Sequence, residues 1–297
     1  MISSRGKPDW LKIRPPTEKF SDIKEIVRNH GLHTVCEESH CPNMSECWSG
    51  GTATFMLMGD TCTRGCRFCE VKAGAKPLPL DPFEPESLAL AVSKMDLDYV
   101  VLTSVDRDDL EDQGSKHFAE CIRAIKRLRP GMLVEVLIPD FQGRSDLLKN
   151  VVDARPDVIA HNMETVQRLQ SQVRDRRANY EQSLTVLRNV KRMNPEIFTK
   201  SSIIVGFGET DREMIHTMKD LLRNEVDFLT VGQYLRPSDW HLPVAEYVDP
   251  EKFRFYQMIG EDLGFKYVAS GPFVRSSYRA GELFVKSLIH DRDGRIS

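Results

Sequence analysis

The chain has 297 residues, enough for one large domain or two modest ones with a core that needs no covalent staples. Its 41 Lys and Arg against 44 Asp and Glu give a net charge of −3, which offers no general attraction to phosphate backbones and argues against a nucleic-acid partner. No apolar run approaches the roughly 18 residues of a membrane span, and the opening stretch MISSRGKPDWLKIRPP lacks the apolar segment of a secretion signal. A cytoplasmic protein without membrane attachment is therefore expected.

Residues 1–51 read as an extension, and its stretch CEESHCPNMSEC carries Cys36, Cys41 and Cys47. Residues 52–265 alternate between short β-branched runs and amphipathic stretches. The candidate strands are 52–59, 98–105, 132–139, 157–162, 199–207 and 227–234. Their largely apolar composition fits strands buried on both faces. Between them PESLALAVSKM, SKHFAECIRAIKRL, SDLLKNVVDA, YEQSLTVLRNVKRM and TDREMIHTMKDLLRN show helical spacing, and Thr210 with Glu213 has the spacing of a capping box. Residues 266–297 read as a tail containing VRSSYRAGE and a closing helix, RAGELFVKSLIH. Repeated βα units predict an α/β fold with a parallel sheet under helical cover, open or curled into a barrel.

Of seven cysteines, six lie between positions 36 and 69. In a reducing compartment such clustering points to metal or catalysis rather than disulfides. The seventh, Cys121, shares helical spacing with Phe118, Ile122 and Ile125 and reads as core packing. The stretch GDTCTRGCRFCE spaces Cys62, Cys66 and Cys69 four and then three apart, just after the first long strand, at the end of the sheet where α/β proteins collect reactive groups. Three thiolates leave a structural zinc site one ligand short, whereas a 4Fe–4S cubane held by three thiolates keeps one iron free for a substrate or cofactor.

The Cys62-x3-Cys66-x2-Cys69 pattern, with aromatic Phe68 before the last cysteine, resembles the signature of the radical S-adenosylmethionine enzymes. Together with CEESHCPNMSEC, LTSVDRDDL, AHNMETV and RSSYRAGE, it resembles the lipoyl synthase family over nearly the whole chain. The resemblance implies a partial (β/α)6 TIM-type barrel open at one side. Both clusters would lie near its mouth, with the C-terminal tail folding back over it. It also implies two 4Fe–4S clusters and S-adenosyl-L-methionine as cofactors. One cluster, on Cys62, Cys66 and Cys69, would cleave S-adenosylmethionine to a 5′-deoxyadenosyl radical. The other, on Cys36, Cys41 and Cys47 with Ser277 as its implied fourth ligand, would give up sulfide. The implied reaction is sulfurtransferase chemistry: two sulfur atoms enter at C6 and C8 of an octanoyl chain on a carrier lysine, where the C–H bonds offer general acid-base groups nothing to attack. The implied partners are octanoylated lipoyl carrier domains (2-oxoacid dehydrogenase E2 subunits or glycine cleavage H protein), an electron donor such as ferredoxin or flavodoxin, and an iron-sulfur carrier.

Other residues follow from position and polarity. Thr103 and Ser104 end the second strand, where related enzymes bind the methionine amino group with a Gly-rich motif that is absent here. Asn162 and Glu164 suit the ribose or methionine and Arg174 suits a carboxylate, while SIIVGFGE resembles the family's glycine-containing fifth-strand motif, which implies that Gly206 lets the backbone approach adenine. His161 and Gln233 read as pocket-lining residues and the loop residue His241 as solvated. Two other classes stay open: an RNA methylthiotransferase, which usually carries an RNA-binding module and a basic surface, and a structural zinc module.

Overall fold

The structure is a computed structural model that describes residues 18–39, 41, 43–49, 54–95, 99–277 and 288–289. One sheet runs in chain order through β1 (His33–Thr34), β2 (Thr54–Leu57), β3 (Tyr99–Ser104), β4 (Leu133–Leu137), β5 (Val158–Ala160), β6 (Phe198–Val205), β7 (Phe228–Gln233) and β8 (Tyr267–Gly271). Strands β2 to β8 are parallel, and β1 pairs antiparallel with β2. All six strands expected from the sequence are present, and β1 and β8 extend the sheet at its two edges.

Strand β8 lies at residues assigned from sequence to the tail, so the barrel sheet runs on to Gly271. Its sequence YVASG is short and rich in small residues, so it carried no apolar signal; its pairing to β7 orders it instead. The closing helix of the tail lies largely outside the described residues.

Helices α4 (Glu84–Lys94), α5 (Ser115–Leu128), α6 (Ser145–Asp153), α8 (Tyr180–Met193), α9 (Asp211–Arg223) and α10 (Pro250–Leu263) cover the outside, with α1 (Glu18–Asn29) ahead of the sheet and the single turn α7 (Gln170–Val173) between β5 and α8. The capping box of α9 forms as expected, Thr210 Oγ1 accepting from the Glu213 amide and the Glu213 carboxylate from Thr210 N. Alternation along each strand divides two cores. Val100 and Leu102 of β3 pack outward in the cluster that contains Leu88 of α4 and Ile122 of α5. Tyr99, Val101, Leu133, Val158, Phe198 and Phe228 form an inner cluster drawn mainly from the first residues of their strands, joined by Ile289.

Above this layer Lys200 Nζ donates to Glu135 Oε1 at 2.7 Å and Tyr99 Oη to Glu135 Oε2 at 2.5 Å, all buried. The amino end of the barrel is thus filled, which leaves the carboxyl end for chemistry. The tail has two destinations: residues 272–277 stay at the mouth, while Leu288 and Ile289 pack at the opposite end.

Candidate active site

The turn from β2 into the first cysteine loop is tight: Met58 and Gly59 have φ of 69° and 91°. Non-glycine backbone in that region is costly and needs outside support. Both Glu84 carboxylate oxygens accept from Met58 N at 3.1 Å, and Arg107 Nη1 donates to Met58 O at 3.4 Å. Glu84 is held in turn by His117 Nε2 at 2.6 Å, and Cys121 is fully buried, as expected of core packing.

The loop itself is stapled to three neighbouring strand ends. Thr63 Oγ1 donates within 2.9 Å to Asp106 O and Asp108 Oδ2. Gly65 N donates to Asp175 Oδ2 at 3.0 Å, and Arg67 N to Val173 O at 2.9 Å. The buried Arg64 donates to Asp108 at 2.9 Å through Nε and Nη2, and to Asp140 at 2.7 Å through Nη1 and Nη2, with Asp106 Oδ1 at 3.3 Å. Burial opposes charge here, yet the Arg64 hydrogen bonds hold Asp108 down at about 2 and Asp140 below the usual carboxylate range. Burial wins at Asp106, pushed up to about 6 despite Arg64.

Backbone amides point at the sulfurs. Arg64 N and Asp106 N lie 3.4 and 3.3 Å from Cys62 Sγ, and Asp175 N lies 3.3 Å from Cys66 Sγ. Such N–H groups are what stabilises thiolates bound to iron. Burial pushes the Cys66 thiol up to about 12 and Cys69 to about 11, and burial with Asp106 raises Cys62 further. Activated nucleophilic cysteines show the opposite shift, so these thiols do not read as free nucleophiles.

The second triplet lies on α2 (Val35–Glu38), the loop after it and α3 (Met44–Ser49), beside β1. Cys36 is buried and pushed up to about 11 by burial and then by Cys41. Segment 272–277 comes back to meet it: Asn43 Nδ2 donates to Phe273 O at 2.5 Å, and Arg275, its charge disfavoured by burial, feels Cys41. Ser277 is half-buried two residues further on, and is the last described residue before the closing helix.

Zinc thiolates stand about 3.8 Å apart, given a tetrahedron with Zn–S near 2.3 Å. Among the described residues only Glu84, His117 and Cys121 bring three donor atoms within 4.8 Å of one another. Neither thiol triplet brings its three sulfurs that close together.

The polar candidates divide. Ser104 Oγ and Asn162 Oδ1 are buried without a hydrogen-bond partner, as befits atoms awaiting a ligand. Glu164 sits at the mouth with a strained φ of 67° and a carboxyl pushed up by burial, against Arg174 and Asn162. Arg174 Nη1 is committed to Gln170 Oε1 and Ser183 Oγ at 3.1 and 2.8 Å. Thr103 is buried at the end of β3, and Phe68 packs on the outer cluster around β6 and β7. Gly206 has φ 115°, and the space of its missing Cβ is filled by Gln233 Nε2 and Glu246 O, which would lie 2.4 and 2.8 Å away. Gln233 is therefore a buried brace, hydrogen-bonded to Val205, Tyr234, Glu246 and Val248, rather than a pocket lining.

His161 likewise turns away from the pocket. Its Nδ1 donates to Ile138 O and its Nε2 accepts from Ser183 Oγ, both at 2.9 Å, and burial with Arg174 holds it down at about 4. The unfolded chain binds the extra proton between about pH 6.5 and 4, so stability falls as pH drops through that window, by roughly 3 kcal/mol from this group. His161→Asn keeps a donor for Ile138 O but cannot titrate. Urea unfolding at about pH 7 and about pH 4.5 should show a shallower pH slope for the variant. Equal slopes would contradict this account.

Residues that the sequence reading passed over complete the site: Arg64, Asp106, Asp108, Asp140, Asp175 and Arg177 lock the cysteine loop. His241, expected to be solvated, is buried against it. The acidic run DRDD facing an arginine inside the cysteine loop was the one available signal.

A barrel of parallel strands with a thiol triplet at its carboxyl end defines the class: residues 56–221 match the Radical SAM superfamily, to which the chain belongs. Solved structures agree on the fold. Methylornithine synthase (PylB) superposes with TM-score 0.54 at 12% identity over 88% of this chain and 79% of its own. The FeFe-hydrogenase maturase HydG from Carboxydothermus hydrogenoformans gives 0.56 at 13% over 92% and 78%. Within the superfamily, the chain is 60% identical to the lipoyl synthase of Halobacterium salinarum strain R1 over 98% of its length and 94% of the relative's. It is 57% identical to that of Anaeromyxobacter dehalogenans and 56% identical to that of Methanocella arvoryzae, each over 96% of this chain and 97% of the relative. The chain belongs to the lipoyl synthase family.

Proposed function

We propose that this enzyme inserts sulfur at C6 and C8 of an octanoyl chain amide-linked to a lysine of a lipoyl carrier domain. The observation that carries the reading is the pair of thiol triplets, one on the loop after β2 and the other beside β1, with segment 272–277 returning against the second. The family uses S-adenosylmethionine and two 4Fe–4S clusters, which when bound supply one-electron cleavage of the sulfonium and sulfide for transfer.

Within that reading the residues have distinct tasks. Cys62, Cys66 and Cys69 hold the cluster that meets S-adenosylmethionine, and the amides of Arg64, Asp106 and Asp175 support the sulfurs of Cys62 and Cys66. Cys36, Cys41, Cys47 and Ser277 hold the sulfur-donating cluster. A serine oxygen is a harder and less matched ligand for iron than thiolate, which suits a centre meant to be taken apart. Ser104 and Asn162, with their unpartnered oxygens, take polar groups of S-adenosylmethionine, alongside Thr103 and Glu164. Arg174 acts through Ser183 and Gln170 and by its charge near Glu164, and Phe68 and Gly206 shape the loop and the strand end. The filled lower barrel keeps the reacting carbons at the mouth and shields them from water on that side.

The octanoylated carrier, a low-potential electron donor such as ferredoxin or flavodoxin, and an iron-sulfur carrier are the partners proposed. Among the described residues no helix is long and apolar enough to cross a membrane. A cytoplasmic location is proposed on the seven free cysteines, which suit a reducing compartment.

Anaerobic incubation of reconstituted protein with S-adenosylmethionine, reductant and an octanoyl-lysine peptide tests the reading. Mass spectrometry should show sulfur added to the octanoyl chain, while free octanoate, lacking the anchoring amide, reacts poorly. Cleavage of S-adenosylmethionine with an unmodified peptide would overturn it.

A further inference from the structure

The loop after β7, residues 234–249, closes on the first cysteine loop at Arg67. Leu242 N donates to Arg67 O at 3.0 Å, and Arg67 Nη2 donates to Trp240 O at 2.8 Å, its guanidinium 4.9 Å above the Trp240 ring. At the centre is His241, only 6% exposed. Its Nε2 lies 2.9 Å from Cys69 O and 3.6 Å from Glu70 Oε2, while Nδ1 lies 2.8 Å from Ser238 Oγ. A carbonyl and a carboxylate can only accept, so Nε2 carries a proton toward Cys69 O, while Nδ1 faces the Ser238 hydroxyl. Arg236 Nε donates to His241 O at 3.0 Å and Tyr234 Oη to Leu242 O at 2.8 Å, which fixes the ring's backbone.

Cys62 and Cys66 receive amide hydrogen bonds from the loops after β3 and β5; the Cys69 thiol has a backbone partner in Val71 of its own loop, and the loop after β7 reaches it through its carbonyl. We propose that His241 is a positioning residue for Cys69, its Nε2–H holding the Cys69 carbonyl so that the sulfur faces the centre shared with Cys62 and Cys66. This rests on the assignment of those three cysteines as cluster ligands. Outer partners of metal ligands commonly contribute on the order of 10- to 100-fold to metal affinity or activity.

The test compares wild-type full-length protein, reconstituted anaerobically, with His241→Gln, His241→Phe and Ser238→Ala. The readout is the part of the reduced iron-sulfur EPR signal that changes when S-adenosylmethionine is added, with bound iron measured alongside. Gln can present an amide donor where Nε2 stood and should retain the signal. Phe keeps a ring of similar size without the donor and should lose it roughly 10- to 100-fold. Ser238 is exposed, so Ser238→Ala should fold normally, release the ring and give a weaker, broader signal. A wild-type signal in both Phe and Ser238→Ala overturns the proposal. So does equal loss in Gln and Phe, which would mean that filling the space matters and donating does not. If wild-type protein itself shows no S-adenosylmethionine-responsive signal, the cluster assignment fails first and this inference with it.

Discussion

Arg64→Met is expected to empty the Cys62–Cys66–Cys69 site and to destabilise the metal-free chain by roughly 3–5 kcal/mol, the usual cost of removing one partner from a buried ion pair. The arginine is one cation set against Asp108, Asp140 and Asp106, and the Asp140 side chain is fully buried. Arg177 reaches Asp108 at 3.3 Å but is committed to Asp175 at 2.8 Å, so it cannot take over. Without Arg64 the three carboxylates repel one another and the loop loses its anchor to the ends of β3 and β4.

The pH dependence has a definite sign. In the native protein Asp108 and Asp140 are held below their ordinary range, so their contribution is present at neutral pH and lost on acidification, for Asp108 as pH falls toward about 2. In Arg64→Met the same carboxylates titrate upward, so the deficit should shrink between about pH 7 and pH 4. Denaturation of both proteins across that range, with iron content, checks the result. A variant that binds iron normally would contradict it.

Gly232→Ala is expected to disable the second triplet while sparing the first. The added Cβ would stand 2.0 Å from Val274 O and 3.0 Å from Val274 C, backbone atoms that cannot rotate away. Segment 272–277 would have to lift, parting Phe273 from Asn43 and Arg275 from Cys41. Overpacking of this kind costs typically 1–3 kcal/mol, and a displacement near 1 Å at a reacting centre costs about 100-fold in rate. Sulfur insertion should fall by about that factor, with S-adenosylmethionine cleavage within a few-fold of wild type. Wild-type product formation would show that the segment does not position the sulfur donor.

The parts of the molecule that were legible in the sequence are those whose signal is local. Six strands announced themselves as β-branched runs, the capping box of α9 by a three-residue spacing, and the triplets by thiols at intervals that only metal chemistry explains. Strand β1 has two residues and β8 is mostly small ones, so neither carried a pattern, and pairing to a neighbour decides both. The locking residues were illegible for a different reason. Arg64 meets Asp140 across 76 positions, and His241 meets Cys69 across 172, so no window of sequence contains both partners. His241 looked like a polar loop residue because its burial depends on that distant contact. Gly206 was read as yielding to a ligand, while the space it leaves is taken by Gln233 and Glu246 of this same chain.

The central claim, that the two triplets divide radical generation from sulfur donation, is tested most directly by measuring 5′-deoxyadenosine and thiolated octanoyl peptide together in single cysteine-to-alanine variants. Replacing Cys62, Cys66 or Cys69 should abolish both. Replacing Cys36, Cys41 or Cys47 should leave 5′-deoxyadenosine measurable and stop sulfur insertion. Loss of 5′-deoxyadenosine in the second set, with the first cluster still assembled, would contradict the division of roles.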